Sequence, residues 1–312
     1  MSRQIEDNLD KIPVLNVLVR LLKRIKLPGL EGLSFYDLLE LYITGIVKGA
    51  LTTRASAIAF NFFTALFPFL LFIIILIPEI PVDNFQTEFM TFLESFLPPS
   101  TSDFFFENIF RNIENSKRGG LLSSVFVLSI ALMANGVSAI FSGFENSYHE
   151  QLTRSVFKQY LYALGIALIL AFLLIITIVV LGYFQIYVVK EFVDVLNTRG
   201  YIDSDSVFWF EVAKYVFFIV MIYIATATLY YFGTKEGRQS RFFSIGALFT
   251  TLLILLTSYL FGIYIENFGQ YNKLYGSIGA LLILLFYLWL NSNILLLGYE
   301  LNASLNKLRK RG

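Results

Sequence analysis

The stretch QYLYALGIALILAFLLIITIVVLGY, residues 159–183, contains 25 consecutive residues and no charge. Crossing about 30 Å of hydrocarbon at about 1.5 Å per residue takes about 20 helical residues, so this stretch is long enough to span a bilayer. Blocks of this length, without alternation of polar and apolar residues, favour helices over the strands of a membrane barrel. The stretch therefore predicts an α-helical membrane protein.

Five further apolar blocks of similar length lie along the chain. The six predicted spans are residues 55–77, 121–141, 159–183, 208–232, 242–265 and 276–299. The composition agrees, because 56% of the 312 residues are hydrophobic, only 15% are charged and the mean hydropathy is +0.67. Soluble domains contain about 45–50% apolar residues. We therefore expect an all-α, polytopic membrane fold with six transmembrane helices.

The distribution of lysine and arginine predicts the orientation. With the N-terminus inside, 17 of the 24 basic residues fall on the cytoplasmic side and 7 on the other. Cytoplasmic loops are enriched in these residues, so both termini are predicted to be cytoplasmic. The chain then divides into a cytoplasmic and interfacial segment, 1–54, a membrane domain, 55–303, and a basic cytoplasmic tail, 304–312. The net charge of +1 argues against a nucleic-acid partner.

Two segments outside the spans carry amphipathic patterns. Residues 14–25 form an apolar helical stripe interleaved with cations, which is typical of a helix on the anionic inner leaflet. Ser34, with the acidic Asp37 and Glu40 in the opening turns, predicts the cap of a second amphipathic helix leading to Arg54. Phenylalanines at helical spacing predict two outer amphipathic helices over about 83–116.

Polar residues in span one are candidates for a substrate pathway. Arg54 precedes the span, and Asn61 and Pro68 lie within it. Proline removes one backbone hydrogen bond and kinks a helix. One interpretation is therefore a hinge beside a polar pathway. The other is a packing kink, with Asn61 holding two helices together.

Glu145 and Asn146 close span two and are the next candidates. A carboxylate near the membrane is costly unless it is paired or hydrated, which makes Glu145 a functional candidate. An interfacial position, or a salt bridge to Arg54 or Arg154, explains it equally well.

Span six carries the remaining candidates. Asn293 and Glu300 are seven residues apart and share a helix face, whereas Asn291 points elsewhere. One polar stripe is thus predicted to face the bundle interior. It either lines a cavity or joins neighbouring helices.

Signatures of catalysis and metal binding are missing from the sequence. The chain has no cysteine and one histidine, His149, which excludes disulfides, thiolate metal sites and histidine clusters. It also lacks a glycine-rich phosphate loop, a paired-histidine helix and a nucleophile elbow. We therefore expect no enzyme activity, no cofactor and no bound metal, and we interpret His149 as a solvated loop residue.

A set of residues distributed over spans one, two and six forms a recognisable pattern: Arg54, Ala55, Ala59, Phe60, Pro68, Phe144, Asn146, Tyr148, Tyr275 to Ala280, Trp289, Gly298, Glu300, Leu301 and Asn302. On these residues, the chain resembles the YihY/BrkB family of bacterial inner-membrane proteins from about residue 34 to residue 303. The resemblance implies six membrane helices in the inner membrane. Members of the family are linked to serum resistance and envelope lipid handling, and the group was once labelled a ribonuclease. One histidine and no acidic cluster give that label no catalytic support.

Three functions are compatible with these patterns. We expect a transporter or flippase-like protein for a lipid or another amphiphilic envelope molecule, with membrane lipids as partners, because polar residues and a proline lie inside the spans. The alternative is a non-transporting scaffold for envelope assembly. A membrane-bound hydrolase has the least support.

Cysteine labelling tests the predicted orientation, because the chain has no native cysteine. Ser2→Cys and Gly312→Cys should react with a membrane-impermeant maleimide only after spheroplasts are opened. Asn115→Cys, in the connection after span one, should react in intact spheroplasts. Labelling of both terminal cysteines in intact spheroplasts would reverse the orientation.

Overall fold

The computed structural model describes residues 13–26, 34–37, 39–40, 50–76, 118–145, 156–183, 204–233, 237–239, 241–268 and 277–309. These ranges contain seven complete α-helices and one short 3₁₀ turn. The helices are α1 (Pro13–Arg24), α2 (Ala50–Leu76), α3 (Arg118–Glu145), α4 (Val156–Tyr183), α5 (Ser204–Gly233), α6 (Ile245–Phe268) and α7 (Ser277–Arg309), and the turn is Gly237–Gln239. The predicted outer helices, Asn146 and His149 lie outside the described residues.

Five of the described helices contain a segment long and apolar enough to cross a membrane. These segments are Val127–Glu145, Phe157–Leu181, Val212–Gly233, Ile245–Ile265 and Leu281–Asn306. They overlap predicted spans two to six, so the chain is a multi-pass α-helical membrane protein. The 27-residue α2 overlaps predicted span one, and its side chains are described from Leu51 to Pro68. The number of six spans stays a prediction.

The last helix is longer than its predicted span. We predicted an end at residue 299, whereas α7 continues to Arg309 and its membrane-length segment extends to Asn306. Glu300 and Asn302 therefore lie inside that segment. The tail predicted for residues 304–312 begins within the same helix.

The predicted N-terminal helix and the start of the next are both present. Asp37 Oδ2 accepts hydrogen bonds from the amide and the hydroxyl of Ser34, each at 2.7 Å, and the amide of Asp37 donates to Ser34 Oγ at 3.3 Å. This reciprocal pattern is a capping box. The amide of Phe35 donates to the carbonyl of Ile25 at 3.0 Å, so the cap is tied back to the end of α1.

The six long helices meet at one end of the bundle, which we call the convergent end. The first halves of α2, α4 and α6 lie there beside the last halves of α3, α5 and α7, so consecutive helices run in opposite directions. The buried core at this end includes Leu51, Ile58, Val137, Ile140, Phe141, Phe144, Ala163, Ala167, Ala227, Tyr230, Ala247, Leu296 and Tyr299.

Phe144 lies at the centre of this core. Its ring stacks on Tyr299 with 4.2 Å between centroids and meets Tyr230 edge-on at 5.6 Å. A Cβ on Gly233 would lie 2.7 Å from the Phe144 ring, so α5 approaches α3 closely only because that position is glycine. Aromatic pairs in these arrangements contribute about 0.5–1.5 kcal/mol beyond the area they bury. Phe144 therefore joins α3, α5 and α7.

Two glycines bring the backbones of α6 and α7 together. A Cβ on Gly298 would collide with Thr250 Oγ1 and lie 2.6 Å from the hydroxyl oxygen of Tyr230. A Cβ on Gly246 would collide with the carbonyl oxygen of Gly298. Small residues at helix contacts in membranes allow this close approach. Since neither position has room for a side chain, the two glycines set the distance between the helices.

Replacing Gly298 by alanine should therefore destabilise the protein. Overpacking of a filled core costs about 1–3 kcal/mol, so the thermal midpoint in detergent should fall by several degrees. Gly165→Ala and Gly262→Ala are matched controls, because a Cβ there meets nothing within 4 Å. Equal midpoints for Gly298→Ala and the two controls would show that the α6–α7 contact is not tight.

Candidate functional site

Arg54, near the beginning of α2, is the centre of the charged contacts at the convergent end. Its Nη1 donates to the carbonyl oxygen of Gly143 at 2.6 Å, and its Nη2 donates to Glu300 Oε1 at 3.3 Å. Gly143 lies in the last turn of α3, where carbonyls have no partner within the helix. A cation there satisfies one of these carbonyls and interacts favourably with the helix dipole. One side chain therefore links α2, α3 and α7.

The ion pair is largely shielded from solvent, since the side chains of Arg54 and Glu300 are only 14% and 12% exposed. Removing two charges from water costs several kcal/mol per ion, which offsets most of their attraction. Breaking such a pair by removing one partner leaves an uncompensated charge and is strongly unfavourable. The pair thus holds α2 and α7 together, although its net contribution to stability is small.

Glu145, the last residue of α3, is buried at the same end of the bundle. It follows Gly143, whose carbonyl Arg54 contacts, by two residues. The sequence pattern allowed a salt bridge from Glu145 to Arg54 or Arg154. The structure pairs Arg54 with Glu300, and Arg154 lies outside the described residues.

The two candidate asparagines form hydrogen bonds within their own helices. Asn61 Nδ2 donates to the carbonyl of Ala57 at 2.8 Å, and Asn293 Nδ2 donates to the carbonyl of Trp289 at 2.7 Å. A side chain that bonds the preceding turn directs its donor along its own helix. Of the candidates, the structure thus pairs Arg54 with Glu300. The amide donors of Asn61 and Asn293 bond their own helices and not this pair.

Pro68 lies at a contact between α2 and α3. The helix continues through the proline, and the carbonyl oxygen of Pro68 accepts a hydrogen bond from the buried Ser129 hydroxyl at 2.6 Å. A neighbouring hydroxyl that bonds the backbone beside a proline is one way membrane helices accommodate this residue. The observed contact is one of packing between helices.

A buried hydroxyl pair on α5 and α6 has no counterpart in our sequence-based candidates. The Tyr230 hydroxyl donates to the carbonyl of Leu295 at 2.6 Å and lies 2.5 Å from Thr250 Oγ1. Because a phenol has one proton, the Thr250 hydroxyl is the donor between these two side chains. Single tyrosines and threonines in apolar helices form no spacing pattern. No sequence signal therefore marked the hydrogen bond from Tyr230 to α7.

Asn302 on α7 caps the beginning of α6. Its Oδ1 accepts from the amide of Gly246 at 2.8 Å, and its Nδ2 donates to Ser244 Oγ at 2.7 Å. Ser244 Oγ also accepts from the amide of Ala247 at 3.2 Å, as an N-cap residue does. Asn302 carried part of the family resemblance, which was the one available signal for it.

The described part of the chain contains no candidate metal site. No group of three or more His, Cys, Asp and Glu side chains that could hold a metal occurs there. The site is therefore an ion pair with hydrogen-bonded helix ends around it.

Comparisons with known proteins agree with the membrane architecture. The family model for virulence factor BrkB matches residues 43–312. Ribonuclease-like protein YfkH of Bacillus subtilis (strain 168) is 28% identical over 260 residues, covering 83% of this chain and 91% of that protein. A UPF0761 membrane protein of Aggregatibacter aphrophilus is 25% identical, with 84% and 89% covered. Another, of Actinobacillus pleuropneumoniae, is 22% identical, with 81% and 87% covered. No solved structure matches significantly.

A double-mutant cycle tests the ion pair. Arg54→Gln should lower the free energy of unfolding more than Glu300→Gln, because it removes the partner of both Glu300 and the Gly143 carbonyl. The double variant should be more stable than the sum of the single effects predicts, with a coupling of about 1–3 kcal/mol. Unfolding in detergent measures it, with the exposed Arg20→Gln as control. Additive effects would contradict the pairing.

Proposed function

Since the chain belongs to the virulence factor BrkB family, we propose that it is a bacterial inner-membrane protein that moves a lipid or another amphiphilic envelope molecule across the bilayer. In this proposal α2 is the first of six spans, and both termini are cytoplasmic. The excess of basic residues, 17 against 7, supports this orientation. It would put the convergent end on the cytoplasmic side.

The observation that carries the proposal is the pair between Arg54 and Glu300. Ionisable residues inside membrane segments are costly, and they commonly mark substrate or ion pathways. Glu300 lies within the membrane-length segment Leu281–Asn306, and its partner belongs to another helix. A polar lipid headgroup offers charged atoms that can replace either partner. Arg54 or Glu300 can therefore exchange its contact with the other helix for a contact with a substrate.

The packing around the pair supports a closed conformation at this end. Phe141, Phe144 and Leu296 are fully buried in the core at this end. A transporter that alternates between two states closes one side of its pathway while the other opens. We interpret the convergent end as the closed cytoplasmic side, with the Arg54–Glu300 pair as the contact that must separate when it opens.

The same packing favours the second candidate, a non-transporting scaffold. A scaffold needs helices that stay together, and the buried core at the convergent end, with its glycine-mediated helix contacts, provides that. In this alternative the ion pair fixes the register of α2 against α7 and never separates. Transport activity distinguishes the two candidates.

We further propose that the chain is not an enzyme and uses no cofactor. The Bacillus subtilis relative is named ribonuclease-like, and metal-assisted phosphodiester cleavage relies on clustered metal ligands. Purified protein should leave RNA intact with and without divalent cations. Cleavage that decreases on Glu300→Gln would overturn this part of the proposal.

Proteoliposomes containing fluorescent phospholipid test transport. The wild-type protein should move lipid between leaflets faster than empty liposomes. Glu300→Gln should slow this movement roughly tenfold. Each transport cycle must pass through the closed state, and destabilising that state by about 1.4 kcal/mol depopulates it tenfold. Glu300→Asp, which keeps the charge, should retain more activity, and Arg20→Gln should leave it unchanged.

Two outcomes would count against this mechanism. Rates equal to those of empty liposomes, across panels of lipids and small solutes, would reject transport and favour the scaffold. Wild-type rates for Glu300→Gln would show that the ion pair takes no part in movement of the substrate.

A further inference from the structure

Three cations lie at the convergent end, separate from the Arg54–Glu300 pair. The guanidinium carbon of Arg238, in the turn between α5 and α6, lies 4.8 Å from the centroid of the Tyr162 ring on α4. Lys158 is one turn before Tyr162 on the same helix face. Arg241 follows Arg238 by three residues at the approach to α6. We call Lys158, Arg238 and Arg241 the basic collar.

The basic collar is exposed, and the described residues of its own segments include no acidic side chain. All three side chains are solvent-exposed. Residues 156–165 and 237–248 contain these three cations and no aspartate or glutamate, whereas Lys235 and Glu236, just before Arg238, lie outside the described residues. An arginine that stacks on an aromatic ring still presents its N–H groups in the guanidinium plane, where they fit two oxygens of a phosphate. The collar therefore has the charge and the donors for an anionic headgroup.

Apolar side chains continue from the collar into the membrane segments. Phe157 on α4 is 75% exposed and Phe243 before α6 is 60% exposed, and Leu161 and Leu248 are exposed further along the two helices. The membrane-length segments begin here, at Phe157 and Ile245. Helix α5 packs against both α4 and α6. Cations followed by exposed apolar residues are the arrangement that a phospholipid requires, with its headgroup above its acyl chains.

We propose that the basic collar binds the phosphate group of an anionic phospholipid from the surrounding leaflet. The acyl chains of this lipid lie against Phe157, Leu161 and Leu248. The apolar surface beside the cations identifies the occupant as a membrane lipid rather than a free phosphate ion. Charge complementarity favours an anionic headgroup over a zwitterionic one, by about 1 kcal/mol per cation near the membrane surface. This binding requires only that the protein is in a membrane, and it is independent of transport.

Native mass spectrometry of the full-length protein, titrated with phosphatidylglycerol or phosphatidylcholine, tests the proposal. The wild-type protein should bind phosphatidylglycerol more tightly. Lys158→Gln should weaken that binding roughly fivefold and Arg238→Gln/Arg241→Gln roughly thirtyfold. Lys214→Gln, which removes a lysine near the opposite end of α5, is the matched control and should change binding less than twofold.

Three outcomes would decide against the lipid site. Equal binding of both lipids by the wild-type protein, or equal losses for Lys158→Gln and Lys214→Gln, would overturn it. Displacement of phosphatidylglycerol by inorganic phosphate would assign the collar to a free anion instead. Arg238→Lys/Arg241→Lys keeps the charge and should bind within a few-fold of wild type. If the double glutamine variant does not fold, the comparison of Lys158→Gln with Lys214→Gln decides.

Discussion

Hydrocarbon provides no hydrogen-bond partner, and this constraint governs the five described helices that contain a membrane-length segment. Backbone amides must bond within their own segment, which makes helices of 24 to 33 residues the natural building element. Many side-chain hydroxyls and amides follow the same rule and bond the preceding turn, as Thr177, Thr251, Ser292 and Asn293 do. A polar contact between helices therefore indicates a specific helix–helix interaction, because the same side chain could have bonded the backbone of its own helix.

Among the described residues, the convergent end contains several polar contacts between helices. Arg54 bonds α3 and α7 from α2, Tyr230 bonds α7 from α5, and Asn302 bonds the beginning of α6 from α7. Each one satisfies a charged group, a hydroxyl or a helix terminus that would be costly to leave alone in a membrane. The fully buried aromatic residues lie among these contacts. The tight packing and the ion pair thus lie at the same end of the bundle. For this reason the same contacts are compatible with both proposed functions, a transporter with a closed gate and a rigid scaffold.

Sequence patterns marked single residues of the candidate site but did not show which residues on other helices they contact. Arg54 and Glu300 were both candidates, but Glu300 was grouped with Asn293 because residues seven apart share a helix face. The structure directs the Asn293 amide along its own helix and pairs Glu300 with a residue 246 positions away. Helical spacing describes neighbours on one helix, and it contains no information on which other helix lies opposite. Gly246 and Tyr230 were missed for the same reason, since their importance comes only from what approaches them.

The sequence alone determined the membrane class, the approximate positions of the long described helices, the helix cap at Ser34 and the family. These depend on quantities that add along the chain, namely hydropathy over about 20 residues and short fixed spacings. Only the tertiary structure decided that α2, α3 and α7 meet at Arg54, that two glycines bring α6 and α7 together, and that α7 carries Glu300 within its membrane-length segment. These depend on contacts between distant residues, where one methyl group or one charge decides how closely two helices can pack.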